Sequence, residues 1–147
     1  MKGFKFICLF FLLFFFSHHV ALAATNGMAE AIYSYAHSGN LSQLYKFSNY
    51  IDTTDDRGNS ALCRSVYNQD YSAFYLLKKV GANPQHPCVG RIPRNVLSNF
   101  NQGYTNWARN VNRGSINPSW YKSGAAISET SGLKIATGVA VHQYNTI

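Results

Sequence analysis

Few residues of this chain could carry out chemistry, and they form no recognised catalytic motif. Ser60 and Cys63 are the candidate nucleophiles. His37 or His86 could act as their base, but no nucleophile motif surrounds Ser60 or Cys63. The acidic pair Asp55-Asp56 lies in a run of turn-forming residues, where such side chains usually bond to the backbone. We therefore expect a protein that is not an enzyme and that needs no cofactor.

Residues 1–23 have the order of a secretory signal peptide. Two lysines precede an apolar run from Ile7 to Phe16, of about 10 residues, which is half the length that a bilayer-spanning helix requires. The small residues Ala21 and Ala23 fit a signal peptidase, so we predict cleavage after Ala23. An uncleaved anchor that extends to Ala24 is the alternative. Export would place the chain in the periplasm or outside the cell.

The mature chain predicted in this way is basic but sparsely charged. Loss of Lys2 and Lys5 leaves 11 basic and 6 acidic residues, a formal charge of +5. Such a charge could attract anionic lipid headgroups, cell-wall polymers or an acidic protein face, or could simply keep the protein soluble. We expect no specific nucleic-acid partner. About 120 residues suffice for one compact domain.

Cys63 and Cys88 form an even pair in the mature chain. In the oxidising compartment expected for an exported protein, the pair predicts a disulfide that stabilises the fold by about 3 kcal/mol. Two buried free thiols are the alternative. The remaining histidines are His37, His86 and His142, and none has a metal-ligand spacing to another, so we predict no metal site.

Two stretches of the sequence share one helical pattern. Residues 28–50 carry apolar side chains at spacings of three and four, interrupted at Gly39-Asn40, and residues 61–80 repeat this arrangement. Residues 36–41 can be aligned with residues 66–71. A pair of short helices has an apolar face that it cannot bury alone. The pattern therefore predicts an all-α fold of stacked helix-turn-helix units.

The second stretch resembles an ankyrin repeat. Residues 55–66, followed by residues 75–84, correspond to the turn, the first helix and the closing Gly-Ala pair of that repeat, which is about 33 residues long. The tetrapeptide Ser60-Ala61-Leu62-Cys63 stands where the family has Thr-Pro-Leu-His. Ser60 keeps the helix-capping hydroxyl, and Leu62 keeps the leucine, while the proline and the histidine are replaced.

The resemblance is weaker on either side of this unit. It covers about Ala29 to Arg109. Residues 39–41 match the mid-repeat turn of an incomplete first unit, and residues 90–93 match the opening of a third unit. Residues 100–103 are interpreted as a turn within the third unit. We therefore divide the chain into a signal peptide (1–23), an ankyrin-like repeat domain (24–113) and a Gly/Ser/Asn-rich tail (114–147).

The resemblance implies a non-catalytic protein-binding module. Partners of ankyrin repeats usually bind the concave face that the turn tips and first helices form. Small exported ankyrin-like proteins are similar to immunity-type inhibitors of exported bacterial toxins, and such an inhibitor is our specific hypothesis. The residues that the resemblance implies for the binding face are Asp56, Arg57, Asn59, Arg64, Tyr67 and Asn68.

A second hypothesis is a cationic envelope or host-surface factor that binds anionic polymers or membrane through its charge and tail. Such binding should weaken as ionic strength rises, whereas a packed aromatic interface should not. Residues 133–141 are apolar but too few to span a bilayer. A basic and aromatic set could bind an acidic partner or form a solvated helix face, and it consists of Arg91, Arg94, Arg109, Arg113, Tyr104 and Trp107.

Overall fold

The computed structural model describes residues 27–122 and 126–133, and these residues are predominantly helical. This confirms the predicted all-α class. The predicted signal peptide and all but Leu133 of the apolar segment 133–141 lie outside the described residues. Within the described ranges no helix is long and apolar enough to cross a bilayer. The helices are α1 (residues 27–37), α2 (Leu41–Lys46), α3 (Ala61–Tyr67), α4 (Tyr71–Val80) and α5 (Arg94–Asn112), with 3₁₀ turns at Ser48–Tyr50 and Val89–Arg91.

Two turns have the same geometry. One connects α1 to α2, and the other connects α3 to α4. After α1, Gly39 adopts a φ of 72°, and the Asn40 N–H bonds to the carbonyl five residues earlier at 2.9 Å. After α3, Gln69 adopts a φ of 56°, and the Asp70 N–H makes the equivalent bond at 2.8 Å. Such short turns return the chain so that the paired helices run antiparallel. The alignment of residues 36–41 with 66–71 is thus reproduced in the backbone hydrogen bonds.

Side chains at the end of each turn also start the next helix. The Asn40 side chain accepts a hydrogen bond from the backbone N–H three residues later, at 3.3 Å, and Asp70 does the same at 3.0 Å. Ser60 caps α3 in this way at 3.4 Å, as predicted. Gly81 ends α4 with a φ of 110°, a left-handed conformation that glycine adopts without a steric penalty. Local sequence therefore sets these helix boundaries.

The core lies around α3, which contacts both α4 and α5. Most residues of α3 are buried, including Leu62, Cys63 and Val66. Phe74 of α4 meets two aromatic rings of α5 edge to face: its centroid is 4.9 Å from that of Phe100 and 5.4 Å from that of Tyr104. Edge-to-face contacts place the positive edge of one ring on the negative face of another. Aromatic packing therefore joins α5 to the second helix pair.

The structure corrects the predicted third helix-turn-helix unit. Residues 100–103 lie inside the uninterrupted helix α5, which is 19 residues long. Its buried residues recur at spacings of three and four from Leu97 to Val111, a stripe that favours one continuous helix. The helix continues through Gly103, and the hydroxyl of Tyr71 on α4 lies where a Cβ of residue 103 would stand. The glycine permits a close approach between helices instead of a turn.

Part of the predicted tail packs against these helices. The Asn112 side chain donates to the Ile127 carbonyl and accepts from the Ile127 N–H, both at 2.8 Å. Lys78 Nζ donates to the Ser131 carbonyl at 2.7 Å. Ile127 and Leu133 are buried in the core. The Gly/Ser/Asn-rich composition therefore marked a loop but gave no sign that its apolar residues complete the core.

Tyr104 should make the protein less stable at alkaline pH. Burial, with a contribution from Tyr75, raises the pKa of Tyr104 to about 12, whereas an unfolded tyrosine titrates near about 10. Between these values the unfolded chain loses this proton first, so the free energy of unfolding falls as pH rises, by about 2–3 kcal/mol in all. Tyr104→Phe should lose less stability than the parent between pH about 10 and about 12 in urea unfolding.

The matched control for this prediction is Tyr50→Phe, which removes a hydroxyl from an exposed ring. If Tyr104→Phe lost as much stability with rising pH as the parent and the control did, the proposed contribution of Tyr104 would be wrong.

Candidate functional site

The residues predicted to bind a partner lie on the loop before α3, on α3 itself and on the turn that follows it. Asp56 and Arg57 are exposed at the tip of the loop. Arg64 is half-buried in the middle of α3, while Tyr67 and Asn68 are exposed at its end. Asn59 is half-buried in the loop. The predicted residues thus follow one another along the loop, α3 and the turn, and residues that were not predicted connect them.

Asp55 fixes the shape of the loop at residues 54–60. Its Oδ1 accepts the N–H of Arg57 at 3.0 Å and the N–H of Asn59 at 2.8 Å. An antiparallel bridge between the first and last residues closes the loop. Asp55 therefore has the turn-forming role that the sequence predicted, and Asp56 and Arg57 are left exposed at the tip.

Arg64 joins α3 to α1 and to the loop. Its guanidinium forms an ion pair with Glu30 of α1 and lies 4.0 Å from the Asp55 carboxylate. It also lies 5.7 Å from the centroid of the Tyr33 ring, a cation–π distance. Exposed ion pairs contribute little to stability because water screens them. The chief effect of these contacts is to hold the Arg64 side chain in one position.

Asp70 organises the other end of this surface. Its Oδ2 accepts the Tyr33 hydroxyl at 3.2 Å and lies 2.7 Å from His37 Nδ1. Tyr33 in turn accepts a hydrogen bond from Asn68 Nδ2 at 3.0 Å. Burial raises the pKa of Tyr33, and the Asp70 carboxylate raises it further against the opposing effect of the Asn68 bond. The Tyr33 hydroxyl therefore keeps its proton and stays a donor at neutral pH.

These contacts create a continuous surface, which we call the polar face. It presents carboxylates, a guanidinium, an imidazole, amides and a phenol in positions that the mutual hydrogen bonds fix. Tyr67 lies one helical turn after Arg64 and is 41% exposed beside it. The polar face consists of Glu30, Tyr33, His37, Arg64, Tyr67, Asn68 and Asp70.

Four members of the polar face were not predicted as site residues: Glu30, Tyr33, His37 and Asp70. The sequence did contain a signal for two of them. Tyr33 and His37 are four residues apart, a spacing that places both side chains on one side of a helix. Their rings stack with centroids 5.9 Å apart. For Asp70, the alignment of residues 36–41 with 66–71 indicated a turn but neither the helix cap nor the bonds to α1.

The basic and aromatic set of the third unit does not form one site. Tyr104 is buried in the core, and Trp107 packs against Tyr75 and Trp120. Arg109 Nη2 lies 3.1 Å from the Glu129 carboxylate. Arg94 and Arg113 stand at opposite ends of α5, about 28 Å apart along a helix of this length. Trp107 and Arg109 hold the tail against α5, and Arg91 donates to the Gly58 carbonyl of the loop before α3. The arginines are too dispersed to bind one anionic group together.

Trp120 shows how most of the aromatic residues are used. Its ring stacks on Tyr75 with centroids 5.2 Å apart and an interplanar angle of 18°. Its Nε1 donates to Ser72 Oγ at 2.9 Å. Three tyrosines of the described chain stay largely exposed, at 50% for Tyr45, 55% for Tyr50 and 41% for Tyr67. Among these three, Tyr67 alone belongs to the polar face.

Cys63 and Cys88 lie at disulfide-bonding distance, with Cα atoms 6.2 Å apart, which confirms the predicted pair. Such a pair fits an oxidising compartment. Both residues are fully buried. His86 Nδ1 lies 3.0 Å from Cys88 Sγ, so the structure also brings together three side chains of metal-ligand type that the sequence spacing did not indicate.

Comparison of the chain with protein-family models, curated proteins and solved structures gave no match. The resemblance to ankyrin repeats therefore rests on the residues themselves. Family membership stays a prediction, while the all-α class and the two matching turns are observed.

Asp70→Ala should destabilise the protein by about 1–3 kcal/mol. The change removes the cap of α4 and the acceptor shared by Tyr33 and His37. Asp70→Asn keeps a capping oxygen and should cost clearly less. Urea unfolding of both variants at neutral pH measures the difference. Equal losses for the two variants would mean that the charge of Asp70, and not its capping oxygen, stabilises the turn.

Proposed function

We propose that this chain is an exported, non-catalytic protein-binding module built from ankyrin-like repeats. The observation that carries the proposal is the polar face, in which polar side chains that could move freely are instead held by one another. Arg64 is fixed by Glu30 and the Tyr33 ring, and Asn68 is fixed by the Tyr33 hydroxyl. Side chains that are ordered before binding lose less entropy when a partner binds.

The position of the polar face supports this reading. It lies on α1, on α3 and on the turn after α3, and Arg64 approaches Asp55 of the loop that carries Asp56 and Arg57. First helices and turn tips are the elements through which ankyrin-like repeats bind their partners. Tyr67 adds a large exposed ring, and tyrosine is among the residues that most often dominate binding energy in protein interfaces.

The partner that suits the polar face is a protein with charges of both signs. Glu30 and Asp56 offer exposed carboxylates, while Arg57 and His37 offer exposed cationic or hydrogen-bonding groups. Our specific proposal is an immunity-type inhibitor that binds an exported bacterial toxin. The small size, the predicted export and the cysteine pair at disulfide distance support it.

The alternative is a cationic envelope or host-surface factor. The formal charge of +5 on the predicted mature chain favours it, and Lys46, Lys79 and Lys122 are exposed. These lysines lie on α2, on α4 and in the tail, so they offer a diffuse charge in place of a defined site. Such a factor would bind weakly and would release its partner as salt rises.

A capture experiment in the native host separates the two proposals. The whole gene, extended by a C-terminal affinity tag, is expressed in the cells, and the retained molecules are identified by mass spectrometry at low and at high salt. A protein partner bound through the polar face should remain at high salt. Anionic polymer or lipid that is lost at high salt would overturn the protein-binding proposal in favour of the cationic factor.

Tyr67→Ala should weaken binding of the captured partner at least about tenfold, since exposed tyrosines in interfaces often contribute this much. Tyr50→Ala is the matched control, because Tyr50 is similarly exposed but lies in the 3₁₀ turn after α2, outside the polar face. Titration calorimetry with the purified partner measures both. Equal affinities for the two variants would place the interface elsewhere.

A further inference from the structure

A third side chain of metal-ligand type lies beside the paired cysteines. The ligand atoms of Cys63, His86 and Cys88 all lie within 4.8 Å of one another. The two cysteines are buried, and His86 is half-buried. Two thiolates and one imidazole are ligands that zinc prefers, at about 2.3 Å for sulfur and about 2.0 Å for nitrogen.

His86 Nδ1 lies 3.0 Å from Cys88 Sγ. The backbone N–H of Cys88 donates to His86 Nδ1 at 3.2 Å, and in the tautomer that accepts this bond the same lone pair is available to a metal. The loop around it is ordered by further bonds, from the His86 N–H to the Asn83 carbonyl at 3.1 Å and from the Asn83 N–H to Asp52 Oδ1 at 2.9 Å. A metal ion would take the place of the Cys88 N–H at this lone pair.

The surroundings suit a thiolate site with one open position. Ser60 Oγ is 3.3 Å from Cys88 Sγ, where its hydroxyl can donate to a thiolate and strengthen its ligation. His86 also lines a cavity of about 600 Å³ that is bounded by residues 52–56 and Gly58. A metal could enter through this cavity, and water could fill the fourth position of a tetrahedral site.

We infer that the dithiol form of this chain binds Zn²⁺ through Cys63, His86 and Cys88. Binding exchanges the two thiol protons for the metal, so two protons are released. In the metal-free form, exchange with a disulfide oxidant converts the two thiols to the Cys63–Cys88 disulfide and destroys the site, while the oxidant takes up the two electrons and two protons and becomes two thiols. A dithiol reductant reverses the exchange and becomes a disulfide itself. Metal and disulfide are therefore alternative ways of joining α3 to the loop before α5.

A metal bound at this site would join α3 to the loop before α5 without requiring an oxidising compartment. Cysteines stay reduced in the cytosol, where the Cys63–Cys88 disulfide would not persist. A metal bound only by the folded chain stabilises the fold. The inference is independent of the partner proposed above, because Cys63 and Cys88 are buried and lie outside the polar face.

Cobalt is the spectroscopic probe for this site. The purified chain is reduced with a phosphine under anaerobic conditions and titrated with Co²⁺, and tetrahedral thiolate ligation should give intense visible bands and sulfur-to-cobalt charge-transfer absorption at one equivalent. Zn²⁺ should abolish these bands, with the release of two protons per ion. The oxidised chain should show neither effect. His86→Gln should weaken Co²⁺ binding at least about tenfold, while the matched control His37→Gln should leave it unchanged.

Three results would overturn the inference: a reduced chain that gives no tetrahedral bands, an oxidised chain that binds Co²⁺ equally well, or equal affinities for His86→Gln and His37→Gln. Circular dichroism covers the case in which reduction unfolds the chain. Recovery of the helical signal on addition of Zn²⁺ would support the site, whereas a chain that stays unfolded with Zn²⁺ would refute it.

Discussion

Burial of α3 is the interaction on which the rest of the structure depends. A helix of seven residues is too short to be stable alone in water, and α3 persists because α4 and α5 cover it. Its cap at Ser60 and its link to the loop before α5 fix both its start and its position. The polar face and the cysteine site are both built on this helix, so both depend on its burial.

The two candidate sites occupy different sides of α3. Cys63 and Arg64 are neighbours in sequence, but successive residues of a helix point about 100° apart. Cys63 therefore enters the core beside Cys88, while Arg64 reaches outward to Glu30 on α1. Because each site relies on a different element next to α3, a substitution at His86 can test one without removing the side chains of the other.

Glycines illustrate how far the sequence could be interpreted. Gly39 and Gly81 were predicted to interrupt or end helices, and both do so with positive φ angles. Gly103 was likewise predicted to lie in a turn, within the third unit, but it lies inside α5. The difference is that Tyr71, which fills the space beside Gly103, comes from another helix. Nothing in the residues around Gly103 indicates that neighbour.

The two helix pairs, the Ser60 cap and the Cys63–Cys88 pair followed from the sequence. Caps and turns depend on contacts between residues three to five apart, and the two cysteines outside the predicted signal peptide allow only one pairing. The polar face and the position of His86 required the folded chain. Tyr33 and Asp70 are 37 residues apart, and the metal-ligand set joins Cys63 to a loop more than 20 residues later. Spacing along the chain carries no information about such contacts, since they arise only when separate helices pack together.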